Sequence, residues 1–136
     1  MSYRPLPSVS IVLACIAAGP IFMVSTALAA FYLQLPGPLV VPIDIAGIFL
    51  MMLIPSVVIG FILSFVPNWG GSRLLLYTGD ILPAARSWTA WLGGGICLGA
   101  LIAWEVGGFS QPPVAFGLVF TSACCAALCR HSAAWD

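Results

Sequence analysis

Apolar residues occur in four long runs, and the polar residues of the chain fall mainly between these runs. The runs cover about residues 9–33, 45–66, 84–106 and 113–130. A helix needs about 20 residues, within a range of about 17 to 25, to cross the hydrocarbon core of a bilayer. The first three runs have this length, and the fourth reaches it if its helix begins at Pro113, because proline is well tolerated in a first helical turn. The pattern therefore predicts four transmembrane helices.

The composition favours membrane insertion over a soluble fold. Of the 136 residues, 62% are hydrophobic and 6% are charged, and lysine is absent. Soluble domains carry about 25% charged residues, and a soluble domain of this size would leave large apolar patches in water. We predict an all-α, polytopic membrane protein whose helices contact the lipid bilayer. Residues 1–136 are expected to form one domain, because no low-complexity linker divides them.

The arginines predict which side of the membrane each connection faces. Arg4 precedes the first run, Arg73 and Arg86 lie between the second and third, and Arg130 ends the fourth. If the helices form two hairpins, these three regions share one side, and the positive-inside rule makes that side cytoplasmic. We predict a multi-pass protein with both termini in the cytoplasm, in a membrane such as the bacterial inner membrane.

Aromatic and basic residues near the ends of the runs predict where the lipid headgroups lie. Such side chains are typical of the membrane–water interface, because they keep an apolar body in lipid and a polar end in water. On the outer side these residues are Tyr32 and Trp104, and Trp135 falls on the cytoplasmic side. The other predicted cytoplasmic anchors are Arg73, Arg86, Arg130, Trp69, Trp88 and Trp91.

The middle connection is predicted to contain a short helix on the cytoplasmic interface. Gly70 and Gly71 are expected to end the second helix, and Ser72 can cap a short helix over residues 72–79. This segment is too apolar for a free loop, so it is expected to lie on the membrane surface. The alternative is that it folds back against the other helices. Asp80 is then expected to cap the third helix.

The first run also has features of a cleavable signal peptide. It has a positive start and an Ala27-Leu28-Ala29 small-residue signature. Cleavage there would remove residues 1–29. However, its apolar stretch is longer than the usual signal core of about 7 to 15 residues. We therefore favour a retained first transmembrane helix.

Two carboxylates, Asp44 and Glu105, fall at the outer ends of the second and third runs. Aspartate is among the best N-cap residues, and a helix over residues 45–66 would match the thickness of the bilayer core. The structural interpretation of Asp44 is therefore a helix cap, and Glu105 can simply point into the headgroups. The functional alternative is a joint site for a cation or a shared proton, because no arginine accompanies the two carboxylates on their side.

No residue pattern indicates catalysis or a resident cofactor. Cys124, Cys125 and Cys129 are followed by His131, and thiolates with imidazole can bind soft metals. Their spacing lacks the paired pattern of zinc sites, so we interpret these cysteines as small buried apolar residues. We predict no catalytic residue, no metal and no other cofactor. Nucleic-acid binding is not expected either, because the positive charges are scattered.

Small residues indicate where the helices pack. Gly95 and Gly99 have the G-x-x-x-G spacing that allows close helix approach, and Gly19, Ala123 and Ala127 are comparable small residues in the first and fourth runs. These residues pack either within the chain or against another subunit.

The scarcity of polar residues within the runs favours an interaction role, because a permeation path needs polar lining. We predict a non-enzymatic accessory protein that packs against itself or against a larger membrane complex. The alternative is a small oligomeric transporter or channel that uses Asp44 and Glu105.

Overall fold

The computed structural model describes residues 8–34 and 43–132, which contain four α-helices. They are α1 (Ser8–Gln34), α2 (Ile43–Ile81), α3 (Trp88–Glu105) and α4 (Pro112–Ser132), with short 3-10 helices at Pro83–Arg86 and Gly108–Ser110. No strand occurs in these ranges, so the all-helical prediction is confirmed for them. Arg4, Trp135 and most of the first connection lie outside the described residues.

Three of the helices are long and apolar enough to cross a membrane. The qualifying segments are Val9–Leu33 in α1, Ala46–Ile81 in α2 and Pro112–His131 in α4. α3 is not among them; it has 18 residues and is about 27 Å long at about 1.5 Å per residue. The length and composition of the helices thus support the membrane prediction.

Neighbouring helices run antiparallel, with α1 and α4 at the centre. α1 packs against α2 and α4, and α4 also packs against α3. In the α1–α4 pair, Gly117 faces Thr26, while the Cys125 thiol donates to the carbonyl oxygen of Ala14. Residue numbers therefore run in opposite directions along these two helices. α2 reaches α3 near its own C-terminus.

α2 is longer than predicted because it does not end at Gly70 and Gly71. It runs without interruption over 39 residues, about 58 Å, and includes residues 72–79. The expected helix break is therefore wrong, and the described chain has no separate helix at that position. Tertiary packing gives the reason: Ser72 is buried and Leu75 packs on α3, and such contacts override the cost of about 1 kcal/mol for a helical glycine.

α3 begins later than predicted, and its N-cap is Ser87 rather than Asp80. The Ser87 hydroxyl oxygen accepts a hydrogen bond from the backbone N–H of Ala90 at 3.2 Å. Asp80 lies in the last turn of α2, and the 3-10 helix that starts at Pro83 separates the two helices. Leu82 has an extended backbone (φ −121°, ψ 107°), so α2 has ended before that turn begins.

A left-handed glycine ends α3. Gly107 has a φ of 68°, a conformation that costs little only without a Cβ. The backbone N–H of Gly107 donates to Trp104 at 3.1 Å, and that of Val106 donates to Ile102 at 3.0 Å, so both carbonyl oxygens have partners. The second 3-10 helix follows, and α4 then begins at Pro112, one residue before the predicted start.

The buried centre lies towards the end where α1 and α3 begin and α2 and α4 end. Its buried side chains are Ala14, Ala18, Trp91, Cys125 and Cys129, and Leu75, Leu76 and Leu128 pack against them. We call this end the arginine end, because it carries Arg73, Arg86 and Arg130.

Candidate functional site

Glycines allow α3 and α4 to touch backbone to backbone. A Cβ added to Gly95 would lie 2.7 Å from the carbonyl oxygen of Ser122 and 3.0 Å from the Cα of Ala123. A Cβ added to Gly99 would lie 2.7 Å from the Cα of Val119. Larger side chains would force the backbones apart, so the close approach of α3 and α4 depends on glycine at both positions.

α1 meets α2 and α4 through the predicted Gly19 and through Gly60 and Gly117, two glycines that sequence analysis missed. A Cβ on Gly19 would overlap the carbonyl oxygen of Ser56, and a Cβ on Gly60 would overlap the backbone of Gly19. On its other side α1 meets Gly117, where a Cβ would overlap the hydroxyl of Thr26. The sequence does contain a signal that could have predicted the α2 contact surface. Ser56 and Gly60 are four residues apart, which is the spacing of small residues that pack helices together.

Four of the five predicted packing residues are therefore directed into the chain itself. Gly19 faces α2, Gly95 and Gly99 face α4, and Ala123 belongs to the α4 surface that receives Gly95. Ala127 is half-buried in α4. Gly19, Gly95, Gly99 and Ala123 thus join helices of one chain, and these four positions are not open to another subunit.

Among the three membrane-length helices of the described residues, α2 is the one that is covered least. In the most apolar window of its membrane-length segment 0% of the residues are buried, against 33% in α1 and 28% in α4. Met51, Ile54, Leu63 and Val66 are exposed by 71% to 79%. α2 therefore packs on α1 along one face and presents a wide apolar surface outward.

A second apolar surface is a groove between the C-terminal half of α1 and the N-terminal half of α4. Its volume is about 920 Å³, and Pro20, Val24 and Leu28 of α1 form part of one wall. Phe116 and Phe120 of α4 line the other wall, with ring centroids 5.7 Å apart. None of its lining residues is charged, so the groove suits hydrocarbon rather than a polar ligand.

The described contacts do not join Asp44 and Glu105. Glu105 is the last residue of α3 and is exposed, while the side chain of Asp44 lies outside the described part of the structure. α2 packs chiefly on α1, and α3 chiefly on α4. The joint site for a cation or proton therefore stays a prediction.

Asp44 is not the N-cap of α2. The helix begins at Ile43, so Asp44 is its second residue. In general, a negative charge in the first turn of a helix is favourable, because it lies near the positive end of the helix dipole. The N-cap assignment is therefore wrong, and Asp44 lies in the first turn of the helix instead.

Asn68 of α2 connects three helices through cysteine side chains. Its Nδ2 donates to the Sγ of Cys15 in α1 at 3.6 Å, and the Cys125 thiol of α4 lies beside the same side chain. One turn further along α2, the buried Ser72 lies beside the Cys129 thiol. Sequence analysis did not identify Asn68, because it lies beyond the predicted transmembrane run, which ends at residue 66.

The cysteines in this cluster act as packing groups. Cys15, Cys125 and Cys129 are buried free thiols, and free cysteine packs as a small apolar residue with a weak S–H donor. Within the described ranges, no group of three His, Cys, Asp or Glu side chains is arranged to hold a metal ion. The cluster therefore connects helices and presents no exposed nucleophile.

Arginine, tryptophan and histidine side chains meet where α4 ends. The Nε–H of Arg130 donates to the backbone carbonyl oxygen of Arg86 at 2.9 Å, and its guanidinium carbon lies 5.5 Å from the ring centroid of Trp88. The Nε–H of Arg86 donates to the carbonyl oxygen of Gly79 at 2.9 Å. The His131 ring lies 6.5 Å from that of Trp88. These contacts connect the end of α2, the start of α3 and the end of α4.

The predicted interfacial anchors divide into two groups. Trp69 and Trp88 are 47% and 46% exposed, and Arg73 lies over the Trp69 ring at 5.3 Å from its centroid. Trp91 is fully buried, so its assignment as an interfacial anchor is wrong. The reason is a spacing that the sequence contains: the buried residues of α3 recur at every fourth position, at Trp91, Gly95, Gly99 and Ala103.

These features define a helical protein in which three helices are long and apolar enough to cross a membrane. Its candidate sites are the outer surface of α2, the apolar groove and the arginine end. Comparisons with known protein families, with curated proteins and with solved structures find no match for this chain.

Proposed function

We propose that the chain is a non-enzymatic accessory protein of a bacterial inner membrane that binds another membrane protein, or a second copy of itself, through α2. In this proposal the four helices cross the bilayer as two hairpins, with the arginine end and both termini in the cytoplasm. The asymmetric placement of the arginines supports this orientation through the positive-inside rule.

The fourth crossing would be made by α3, the shortest of the four helices. Its length of about 27 Å is close to a bilayer core of about 30 Å. Trp88 is its first residue and Trp104 its next to last, and tryptophan is enriched at both membrane interfaces. Close packing against α4 through Gly95 and Gly99 would hold α3 at the same depth as its longer neighbour.

The outer surface of α2 is the observation that carries the interaction role. Several of the glycines that commonly mediate helix association are used for contacts within this chain, at Gly19, Gly60, Gly95, Gly99 and Gly117. What remains for a partner is a 39-residue helix whose most apolar window has no buried residue. Met51 and Met52 lie on its exposed part, and flexible methionine side chains adapt well to a partner surface.

Photo-cross-linking in native membranes tests this role. A photoreactive phenylalanine analogue replaces Leu63 of α2, which is 71% exposed, and in the matched control it replaces Leu101 of α3, which is 61% exposed. We expect the α2 position to give a protein adduct of defined mass and the α3 position to give lipid adducts. The mass separates a second copy of this chain from another protein. Protein adducts of equal yield at both positions, or lipid adducts alone at both, would contradict the proposal.

A further inference from the structure

We infer that the chain associates with further copies of itself, with α2 of one copy seated in the apolar groove between α1 and α4 of the next. The inference rests on the proposed function, because it names the partner of the same α2 surface. It also assigns an occupant to the groove, which the interaction role does not otherwise use.

α2 and the groove can be compared by their depth along the helix bundle. Gly19 of α1 meets α2 at residues 56–60, and Thr26 of α1 meets Gly117 of α4. The step from Gly19 to Thr26 is about 10 Å along the helix axis. Because residue numbers along α2 run opposite to those along α1, the same step from the middle of 56–60 leads to Met51. Met51 and Gly117 therefore lie at about the same depth.

This depth brings the most exposed large apolar side chain of the described part of α2 level with the aromatic wall of the groove. Met51 is 79% exposed. Phe116 and Phe120, on either side of Gly117 in the sequence, line the groove with their ring centroids 5.7 Å apart. Two copies with the same orientation in one membrane can meet only at equal depth, and the outer part of α2 and the groove satisfy this condition.

The two surfaces also fit each other in chemistry. No lining residue of the groove is charged, and residues 46–58 of α2 contain no charged side chain. Methionine is flexible enough to fill an irregular gap, and its sulfur makes favourable contacts with aromatic rings. Membrane helices associate through such van der Waals packing. An ordered helix loses less conformational freedom in the groove than a lipid acyl chain does, which favours α2 as the occupant.

α2 and the groove lie on different sides of α1, so the association is head to tail. Gly19 faces α2, whereas Ile21 lines the groove, and two residues turn an α-helix by about 200°. One copy therefore offers α2 to one neighbour and its groove to another. Such heterologous contacts produce a ring or an open row of copies rather than a symmetric pair that is closed on itself.

Energy transfer between labelled copies in liposomes tests the contact. The full chain is labelled at its C-terminus with a donor or an acceptor dye, and both pools are reconstituted into phosphatidylcholine at increasing dilution. We expect the unchanged chain to self-associate. Met51→Ala and Phe116→Ala should each weaken the association about tenfold, as for side chains at the centre of an interface. A chain that stays monomeric at every dilution would overturn the inference.

Phe109→Ala and Leu101→Ala are the matched controls. Phe109 is 54% exposed, against 53% for Phe116, but it does not line the groove, and Leu101 is a 61% exposed residue of α3. Each change should alter the association by less than about twofold, because residues outside the centre of an interface contribute little. Losses equal to those of Met51→Ala and Phe116→Ala would show non-specific clustering and would overturn the inference.

Mixing the two variants separates a lost contact from a misfolded chain. Met51→Ala keeps an intact groove and Phe116→Ala keeps an intact α2, so one native contact remains available to a mixed pair. We expect mixed pairs to associate about as tightly as pairs of the unchanged chain, whereas each variant alone stays weak. Mixed pairs no tighter than either variant alone would contradict the seating of α2 in the groove.

A second cross-linking position distinguishes failure of this inference from failure of the proposed function. A photoreactive phenylalanine analogue replaces Met51 in native membranes, and the adduct is mapped by mass spectrometry. We expect the adduct to join residues 112–120 of a second copy, which include the groove wall of α4. An adduct to another protein, or to lipid alone, would overturn the inference. A protein adduct from Leu63 in the same membranes would still support the interaction role of α2.

Discussion

Gly95 and Gly93 form a matched pair that tests the packing of α3 on α4. Both are glycines of the same helix, two residues apart. A Cβ on Gly95 would lie 2.7 Å from the carbonyl oxygen of Ser122, 2.8 Å from the Cβ of Ala126 and 3.0 Å from the Cα of Ala123. A Cβ on Gly93 would meet nothing within 4 Å. The same substitution by alanine therefore creates overlap at one position and none at the other.

The expected magnitude follows from two opposing effects. Replacing a helical glycine by alanine favours the helix by up to about 1 kcal/mol, and overpacking a close contact costs about 1–3 kcal/mol. Gly93→Ala carries only the first effect, while Gly95→Ala carries both. The gain in helix propensity is common to both variants and cancels when they are compared. Gly95→Ala should therefore be less stable than Gly93→Ala by about 1–3 kcal/mol.

The stability of both variants can be measured by titrating dodecyl sulfate into mixed micelles and following tryptophan fluorescence. The midpoint of Gly95→Ala should fall at a lower detergent fraction than that of Gly93→Ala. Gly99→Ala should behave as Gly95→Ala does, because its Cβ would lie 2.7 Å from the backbone of Val119. Equal midpoints for Gly95→Ala and Gly93→Ala would refute the backbone contact between α3 and α4.

Three further predictions concern other parts of the chain. Trp91→Ala should lower the free energy of unfolding by about 3–5 kcal/mol, because the indole is fully buried. Trp104→Ala removes a side chain that is 75% exposed and should have a much smaller effect. Equal losses of stability in the detergent titration would contradict the buried position of Trp91. Ser87→Ala should cost about 1 kcal/mol and speed amide exchange in the first turn of α3, and an unchanged exchange rate would show that the hydroxyl is not the cap. If the transporter alternative holds, Asp44→Asn and Glu105→Gln should each abolish cation or proton uptake into proteoliposomes while the fold is kept. The interaction role instead predicts that the unchanged chain gives no more uptake than empty liposomes. Full uptake by both variants would rule out the carboxylate site.

Long apolar runs made the helices predictable from the sequence. The bounds of α1 and α4 differ from the predicted runs by one or two residues at each end. These helix bounds could be predicted because proline and polar residues mark the ends of the apolar segments. Local signals failed where contacts between helices decided the outcome. α2 continues through Gly70 and Gly71 because the residues beyond them pack on α3, a contact that no local pattern contains.

The candidate sites were less predictable, because their residues come from different helices. Asn68 lies more than fifty positions from Cys15, yet their side chains form a hydrogen bond. Trp91 was assigned to the interface by its position near the end of a run, although it lies four and eight residues before Gly95 and Gly99, a spacing that indicates the packed face. The spacing within α3 would therefore have corrected the assignment of Trp91. Identifying Asn68 required the arrangement of three helices, which the sequence does not contain.

The crossing of α3 is the central claim of the proposed topology, because α3 is the helix whose length and hydropathy do not qualify it on their own. Ala84 and Ser110 are exposed residues in the connections before and after α3. Cysteine is placed at each position in turn and labelled in intact cells with a membrane-impermeant maleimide, with the unchanged chain as the baseline for its own cysteines. If α3 crosses the bilayer as proposed, Ser110→Cys is labelled from outside and Ala84→Cys only after the membrane is permeabilised. Labelling of both positions from the same side would contradict the four-helix topology and the cytoplasmic placement of the arginine end.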